Sequence, residues 1–147
     1  MKRVEEVMER NPVTVCPSAS IIEVARRMKE HNLQMILVCE NNKLRGVITE
    51  GDIISGIVAS ARNPRRQEAK SLMQYDGPKI SPGDDLLSAA KLMARHGTHY
   101  LPVVQNGKMK GLLTLDHLVN ESLAAASLVL DRTRRQPGPA ITAPAGV

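Results

Sequence analysis

The sequence predicts an α+β fold in which one small strand–helix–hairpin–helix unit is built twice. Three observations predict it. Shifted by 65 positions, the chain of 147 residues matches itself without a gap, with ten identities between residues 8–54 and 73–119. Each copy holds a stretch with the apolar spacing of a helix. Each then shows two apolar runs split by an Asn-led turn, the signal of a β-hairpin.

The identities pair Met8 with Met73, Pro17 with Pro82, Ala25 with Ala90, Met28 with Met93 and His31 with His96. They continue with Val38 and Val103, Asn41 and Asn106, Lys43 and Lys108, Gly46 and Gly111, and Thr49 and Thr114. Roughly three would arise by chance from ordinary residue usage. Other positions exchange one aliphatic for another, such as Ile21 for Leu86 and Ile48 for Leu113.

The elements follow in order. Val13-Thr14-Val15 is a short extended piece, ended by a polar turn at Pro17. Ser20 with Glu23 is a capping-box pair. It opens a helix whose apolar positions are Ile21, Val24, Ala25 and Met28. That helix ends near His31-Asn32, where the second copy has His96-Gly97, a natural C-terminal stop. The hairpin strands are Met35 to Val38 and Leu44 to Ile48, turned at Asn41-Asn42; the second copy turns at Asn106-Gly107. Their near-continuous apolar character predicts burial of both faces. A second helix starts at Thr49 or Thr114. Residues 1–66 make the first repeat and 67–131 the second. Residues 132–147, rich in Pro, Gly and Ala without periodicity, are expected to form a disordered tail.

Composition narrows the function. The core has no Phe or Trp and only two Tyr, Tyr75 and Tyr100, so aliphatic residues and seven Met must fill it. The net charge is +5, with Arg runs at 62–66 and 132–135. These fit solvated loop ends, or an anionic partner such as nucleic acid. With two tyrosines a stacking platform for single strands is poorly supplied, so nucleic acid is not the expected partner. Cys16 and Cys39 lack CxxC spacing and read as reduced core residues. No stretch has the length and apolarity of a signal peptide or a membrane span, so a soluble cytoplasmic protein is expected. His31, His96, His99 and His117 lack ligand spacing with cysteines or carboxylates, and no metal site is expected. No nucleophile, phosphate-loop or metalloprotease motif is present, and the reading is of a chain that is not an enzyme.

The pattern resembles a tandem pair of CBS domains, the cystathionine-β-synthase motif often called a Bateman module. The residues that carry the resemblance are Val7-Met8, Asn11-Pro12-Val13-Thr14-Val15, Val38, Gly46-Val47-Ile48-Thr49 and Asp52-Ile53. In the second copy they are Leu72-Met73, Leu101-Pro102-Val103-Val104 and Gly111-Leu112-Leu113-Thr114. It covers roughly residues 3–130. The resemblance implies two β-α-β-β-α repeats related by pseudo-twofold symmetry, with two clefts between them. It implies a homodimer, commonly a flat disc, that regulates attached or partner proteins. The implied regulatory ligand is an adenosine compound: AMP, ADP, ATP or S-adenosylmethionine. No cofactor is required.

Thr49 and Asp52 have two readings. A Thr followed by an acidic residue three positions on is an ordinary helix start. In the family pattern, however, the Thr contacts phosphate and the Asp holds the ribose. The resemblance also implies an adenine grip in the first cleft from Val47 and Ile48, with Lys79-Ile80 arriving from the other repeat. For the second cleft it implies Leu112 and Leu113 with Thr14-Val15. Register there puts Thr114 at the hydroxyl position but His117 where the ribose Asp belongs, with Asp116 one residue early. This departs from the family pattern and implies weak, different or absent nucleotide binding. His99 and Tyr100 occupy positions where some members place phosphate-contacting His and Arg. Their first-copy counterparts, Gln34 and Met35, carry no charge. The rival readings are a ligand-free interaction or scaffold module, and a nucleic-acid-associated protein using its basic segments.

Overall fold

The computed structural model describes residues 1–135. It is α+β, with a sheet of five strands in the order β1-β2-β3-β5-β4. The first lobe holds β1 (Thr14–Val15), α2 (Ile21–Glu30) and the hairpin β2 (Met35–Glu40) and β3 (Lys43–Thr49). α3 (Glu50–Ile53) follows and runs into a π-helical turn, Ile54–Val58. The second lobe repeats this with α5 (Leu86–His96), β4 (Tyr100–Gln105), β5 (Lys108–Thr114) and α6 (Leu115–Glu121). The counterpart of β1 is one parallel bridge, Ile80 to Val103. α7 (Leu123–Arg135) closes the described chain, and residues 136–147 of the expected tail lie outside it.

Local chemistry sets these elements. Ser20 accepts the N–H of Glu23 at 3.2 Å to start α2, and Asp85 accepts that of Ser88 at 2.7 Å to start α5. Gly97 at φ 63° ends α5 in the left-handed region. Asn41 and Asn42 stand at φ 53° and 62°, and Asn106 and Gly107 at 52° and 77°, the twin left-handed residues of a tight hairpin turn.

Two short helices bind the lobes together. α1 (Val4–Val7) precedes the first copy, yet Val4 is buried in the second lobe's core with Leu86, Met93, Leu101 and Leu113. α4 (Ala69–Leu72) precedes the second copy, yet Ala69 is buried in the first lobe's core with Ile21, Val24, Ile36 and Ile48. The segment after each helix then pairs with the same lobe. Glu9 bridges Leu112, with N–H···O distances of 2.9 Å in both directions, and Gln74 bridges Val47 at 3.0 and 2.9 Å. Between β3 and β5 the one registered pair is Lys43 with Lys108.

The glycines of the two Gly-x-x-Thr strings follow from these crossings. A Cβ on Gly46 would lie 2.9 Å from the Gln74 carbonyl oxygen and from Met73 Cβ. One on Gly111 would lie 2.5 Å from the Glu9 carbonyl oxygen and 2.9 Å from Met8 Sδ. The strands therefore need glycine where a second backbone rests on them.

Three expectations need correction. β3 and β5 do not bury both faces: Lys43, Arg45, Lys108 and Lys110, in the turn-side half of each strand, are exposed, and burial begins at Gly46 and Gly111. Cys16 is not a core residue. It ends a two-residue strand at a turn and is exposed. Cys39 is half-buried, and burial pushes its thiol up to about 11. Both are free thiols, as expected.

The lobes differ in cover. α7 lies against α5 and α6, burying Ala125, Ala126 and Val129 in the second core. In the first lobe a groove of about 440 Å³ stays open between α2 and α3, lined by Ala25, Met28, Leu33, Ile53 and Ile54. Among the described residues no helix is long and apolar enough to cross a membrane.

Candidate functional site

The first cleft lies where the segment after α4 crosses β3. A cavity of about 200 Å³ is lined there by Val47, Arg45, Gln74, Tyr75, Pro78, Lys79 and Pro102, among others. It takes residues from both copies. Lys79 is held over the loop by the carbonyls of Tyr75, at 3.1 Å, and Gly77, at 3.3 Å. Beside this cavity Thr49 and Asp52 form a reciprocal capping box. Asp52 Oδ2 accepts the Thr49 N–H at 2.9 Å, and Thr49 Oγ1 accepts the Asp52 N–H at 3.1 Å. The second carboxylate oxygen, Oδ1, accepts from Gln74 Nε2 at 2.6 Å. Asp52 is thus tied to the cavity wall by a side chain from the other copy.

Of the residues expected at this cleft, Val47 and Lys79 line the cavity, and Asp52 meets it through Gln74. Ile48 and Ile80 face the two cores, at 0% and 6% exposure. The alternation of a strand explains the split between Val47 and Ile48, which adjoin in sequence and point to opposite faces. Gln74, Tyr75 and Arg45 were not singled out from sequence. Register alone could have found Gln74, since it follows Met73 in the repeat.

The second cleft shares part of this plan: Glu9, Pro12, Val13 and Leu112 are the register mates of Gln74, Gly77, Pro78 and Val47. A cavity of about 260 Å³ is lined by Glu9, Asn11, Pro12, Val13, His31, Leu33, Met35 and Leu112. Leu113 and Val15 belong to the cores, and Thr14 sits on β1 paired with Leu37. His117 takes the place of Asp52 in the cap: its Nδ1 accepts the Thr114 N–H at 2.9 Å and lies 3.2 Å from Thr114 Oγ1. A backbone N–H can only donate, so Nδ1 carries the lone pair and the neutral ring carries its proton on Nε2. Burial lowers the His117 pKa, against the opposing charges of Glu9 and Asp116.

That burial has a consequence for stability. The unfolded chain takes up a proton at this position near pH 6.5, before the folded chain does. The stability held by neutral His117 is full above that pH and is lost as pH falls toward the lower folded value. Thermal unfolding of the wild type between pH 7.5 and 5 should therefore fall more steeply than that of His117→Asn, which keeps an acceptor and does not titrate. Parallel profiles would refute the assignment.

A further cavity of about 560 Å³ shares Leu33, Met35 and Leu112 with the second cleft and is lined by register mates from both copies: Gln34 and His99, Met35 and Tyr100, Glu50 and Leu115. Thr114, Asp116 and Leu112 complete much of its wall. The pseudo-twofold relation is visible in the backbone, since Glu50 N–H donates to Gln34 O at 3.0 Å and Leu115 N–H to His99 O at 2.7 Å. Burial raises the Tyr100 phenol, helped by the Asp52 charge and opposed by a hydrogen bond with Thr98. Asp52 is therefore felt in this cavity too. The exposed Arg62, Arg65 and Arg66 lie on the connection between the copies, apart from these cavities. The second Arg run falls in the last turn of α7. Among the described residues no group of three or more His, Cys, Asp or Glu is placed to hold a metal ion.

Comparison with known proteins places the chain. A family model for the CBS domain matches twice, at residues 4–59 and 69–124. The CBS domain-containing protein YhcV of Bacillus subtilis is 31% identical over 131 residues, covering 86% of this chain and 93% of that protein. An uncharacterised protein of Methanopyrus kandleri is 30% identical over 118 residues, and the match spans 79% of this chain and 60% of that one. Among solved structures, a conserved CBS domain protein of unknown function from Thermoplasma acidophilum superposes with a TM-score of 0.77 at 25% identity, covering 90% of this chain and 76% of that one. CBSX2, solved in complex with AMP, gives a TM-score of 0.74 at 23% identity, covering 84% of this chain and 97% of that one. Two matched domains within one shared fold lead to one conclusion: the chain belongs to the CBS-domain family, as a tandem pair.

Proposed function

We propose that this CBS pair is a regulatory module that binds an adenosine nucleotide in its first cleft and conveys its occupancy to a partner protein. The supporting observation is the Asp52 carboxylate, held by Thr49 and linked by Gln74 to a cavity built from both copies. A carboxylate can accept from both hydroxyls of a ribose. Arg45 and Lys79 in the same wall supply positive charge for an anionic ligand. The AMP held by CBSX2, a protein of the same fold, points the same way. A ligand that touches both copies favours the lobe arrangement in which it binds tighter, and this differential affinity is what a partner reads. Calorimetric titration with AMP, ATP and S-adenosylmethionine tests the reading. Heat from at least one is expected, and silence from all three removes it.

The ligand-free scaffold reading draws on one specific observation: both Asp52 oxygens already have protein partners. Mass spectrometry of the denatured protein separates the two, since a sensor is expected to release a co-purified adenosine compound.

The module is further read as a homodimer. Four exposed apolar residues recur at the repeat offset, Ile54 with Val119 and Val58 with Leu123, at 61%, 42%, 71% and 69% exposure. A patch that repeats about a pseudo-twofold axis suits a second copy of itself, because a twofold interface must be self-complementary. Ile54→Glu combined with Val119→Glu is expected to convert a dimer to a monomer in sedimentation equilibrium. A wild type that sediments as a monomer, or a variant that stays dimeric, would contradict this.

A further inference from the structure

The tips of the two hairpins carry the same irregularity. In the first lobe Val38 pairs with Gly46 but Cys39 pairs with Leu44, so Arg45 is one extra residue on β3. In the second, Val103 pairs with Gly111 but Val104 pairs with Met109, so Lys110 is the extra residue on β5. A bulge of this kind bends its strand and re-aims a side chain. Both copies place an exposed cation on it.

The tips then meet. Lys43 and Lys108 are direct partners between β3 and β5, and the Met109 N–H donates to the Asn42 carbonyl at 2.9 Å. Like charges directly opposite on neighbouring strands destabilise a sheet. Lys43, Arg45, Lys108 and Lys110 are all exposed. The ion pairs among the described residues, Lys2 with Glu121 and Lys70 with Glu68, include none of them. One carboxylate stands in register with the group, Glu40 opposite Lys43 across the turn; its counterpart opposite Lys108 is the uncharged Gln105. Four cations thus face one carboxylate where the two copies join, an arrangement that folding alone does not favour.

The spacing says what fits. Alternate residues of a strand lie roughly 7 Å apart, and Lys43 with Arg45, and Lys108 with Lys110, are two such steps. An extended peptide with carboxylates at alternate positions repeats that step. A nucleic acid matches less well, because neither tip, residues 40–45 or 105–110, has an aromatic side chain on which a base could stack. We infer that the two tips form one docking surface for an extended acidic segment of a partner protein. The inference gives the regulatory module a partner chemistry, and it does not depend on a ligand in the first cleft.

The test is fluorescence anisotropy at low ionic strength, with the full chain and a labelled peptide of alternating Glu and Thr. An oligothymidylate of equal charge is the second probe. The variants are Lys108→Glu, Lys43→Gln with Lys108→Gln, and, away from the tips, Arg62→Gln with Arg65→Gln. Each lowers the net charge by the same amount, and Arg45 is left in place because it lines the first cleft. The peptide is expected to bind the wild type, and either tip variant at least about fivefold more weakly. The Arg62 and Arg65 variant is expected to stay within about twofold of the wild type. Lys108→Glu turns a like pair into an opposite one, so its melting temperature is expected to rise by roughly 1–3 °C while binding falls. A solvated rim with no partner would show the rise without the loss, and that result overturns the inference. So does a peptide that is silent on the wild type, or one weakened equally by the Arg62 and Arg65 variant. An oligothymidylate that binds tighter than the peptide and is lost in the tip variants gives the surface to nucleic acid and overturns it as well. If the peptide docks while AMP is silent in calorimetry, this inference stands and the first-cleft reading falls; the reverse result leaves only the first-cleft reading.

Discussion

Gly111→Ala is expected to destabilise the protein by about 1–3 kcal/mol, the range for forcing atoms into a packed site. The new methyl group would sit 2.5 Å from the Glu9 carbonyl oxygen. That atom is backbone, and it accepts the Leu112 N–H at 2.9 Å, so it cannot swing aside as a side-chain end would. The segment must lift, and Val4, fully buried in the second core, is pulled with it. For a chain of this size the melting temperature should drop roughly 2–4 °C per kcal/mol. The control is Gly83→Ala, where a Cβ meets nothing within 4 Å and φ is unexceptional. Equal melts for the two variants would show that the crossing yields freely.

Asp52→Asn is expected to cost at least about 100-fold in AMP affinity while the fold persists. Each hydrogen bond from a ribose hydroxyl to a charged carboxylate contributes on the order of 1.5–3 kcal/mol, and the amide keeps one acceptor where two are needed. The Thr49 N–H and Gln74 Nε2 compete for that acceptor, and the loser faces an NH₂ group. A stability loss of about 1 kcal/mol should accompany the change. Calorimetry with AMP, alongside a thermal melt, reads both effects. AMP affinity within threefold of the wild type would mean that Asp52 serves the helix cap alone.

Much of the scaffold was legible because local chemistry decides it. Asn41-Asn42 and Asn106-Gly107 tolerate positive φ, and they turn the hairpins where the pattern placed them. Ser20, Thr49 and Thr114 stand at the helix starts they were expected to cap. The crossings were not legible. Val4 and Ala69 are apolar residues on four-residue helices, and burial preference says that they enter a core without saying which one. Gly46 and Gly111 marked the family without revealing that a second chain segment lies on them. The candidate site was half legible for the same reason. Asp52 could be named from its own helix, while Gln74, brought by a crossing 22 residues away, needed the tertiary structure. Cys16 and the outer strand positions were misjudged because composition reports how apolar a segment is, not where its covering layer stops.

The seating of α1 on the second lobe and α4 on the first has a further consequence. Each lobe is completed by a piece that the other copy contributes, as in a domain-swapped dimer whose protomers have been joined end to end. The two copies are mutually dependent: Val4 completes the second core and Ala69 the first. Neither sequence repeat, cut at its own boundary, carries the residues that finish its core. The unit that repeats in the sequence and the unit that closes a core are therefore different objects here.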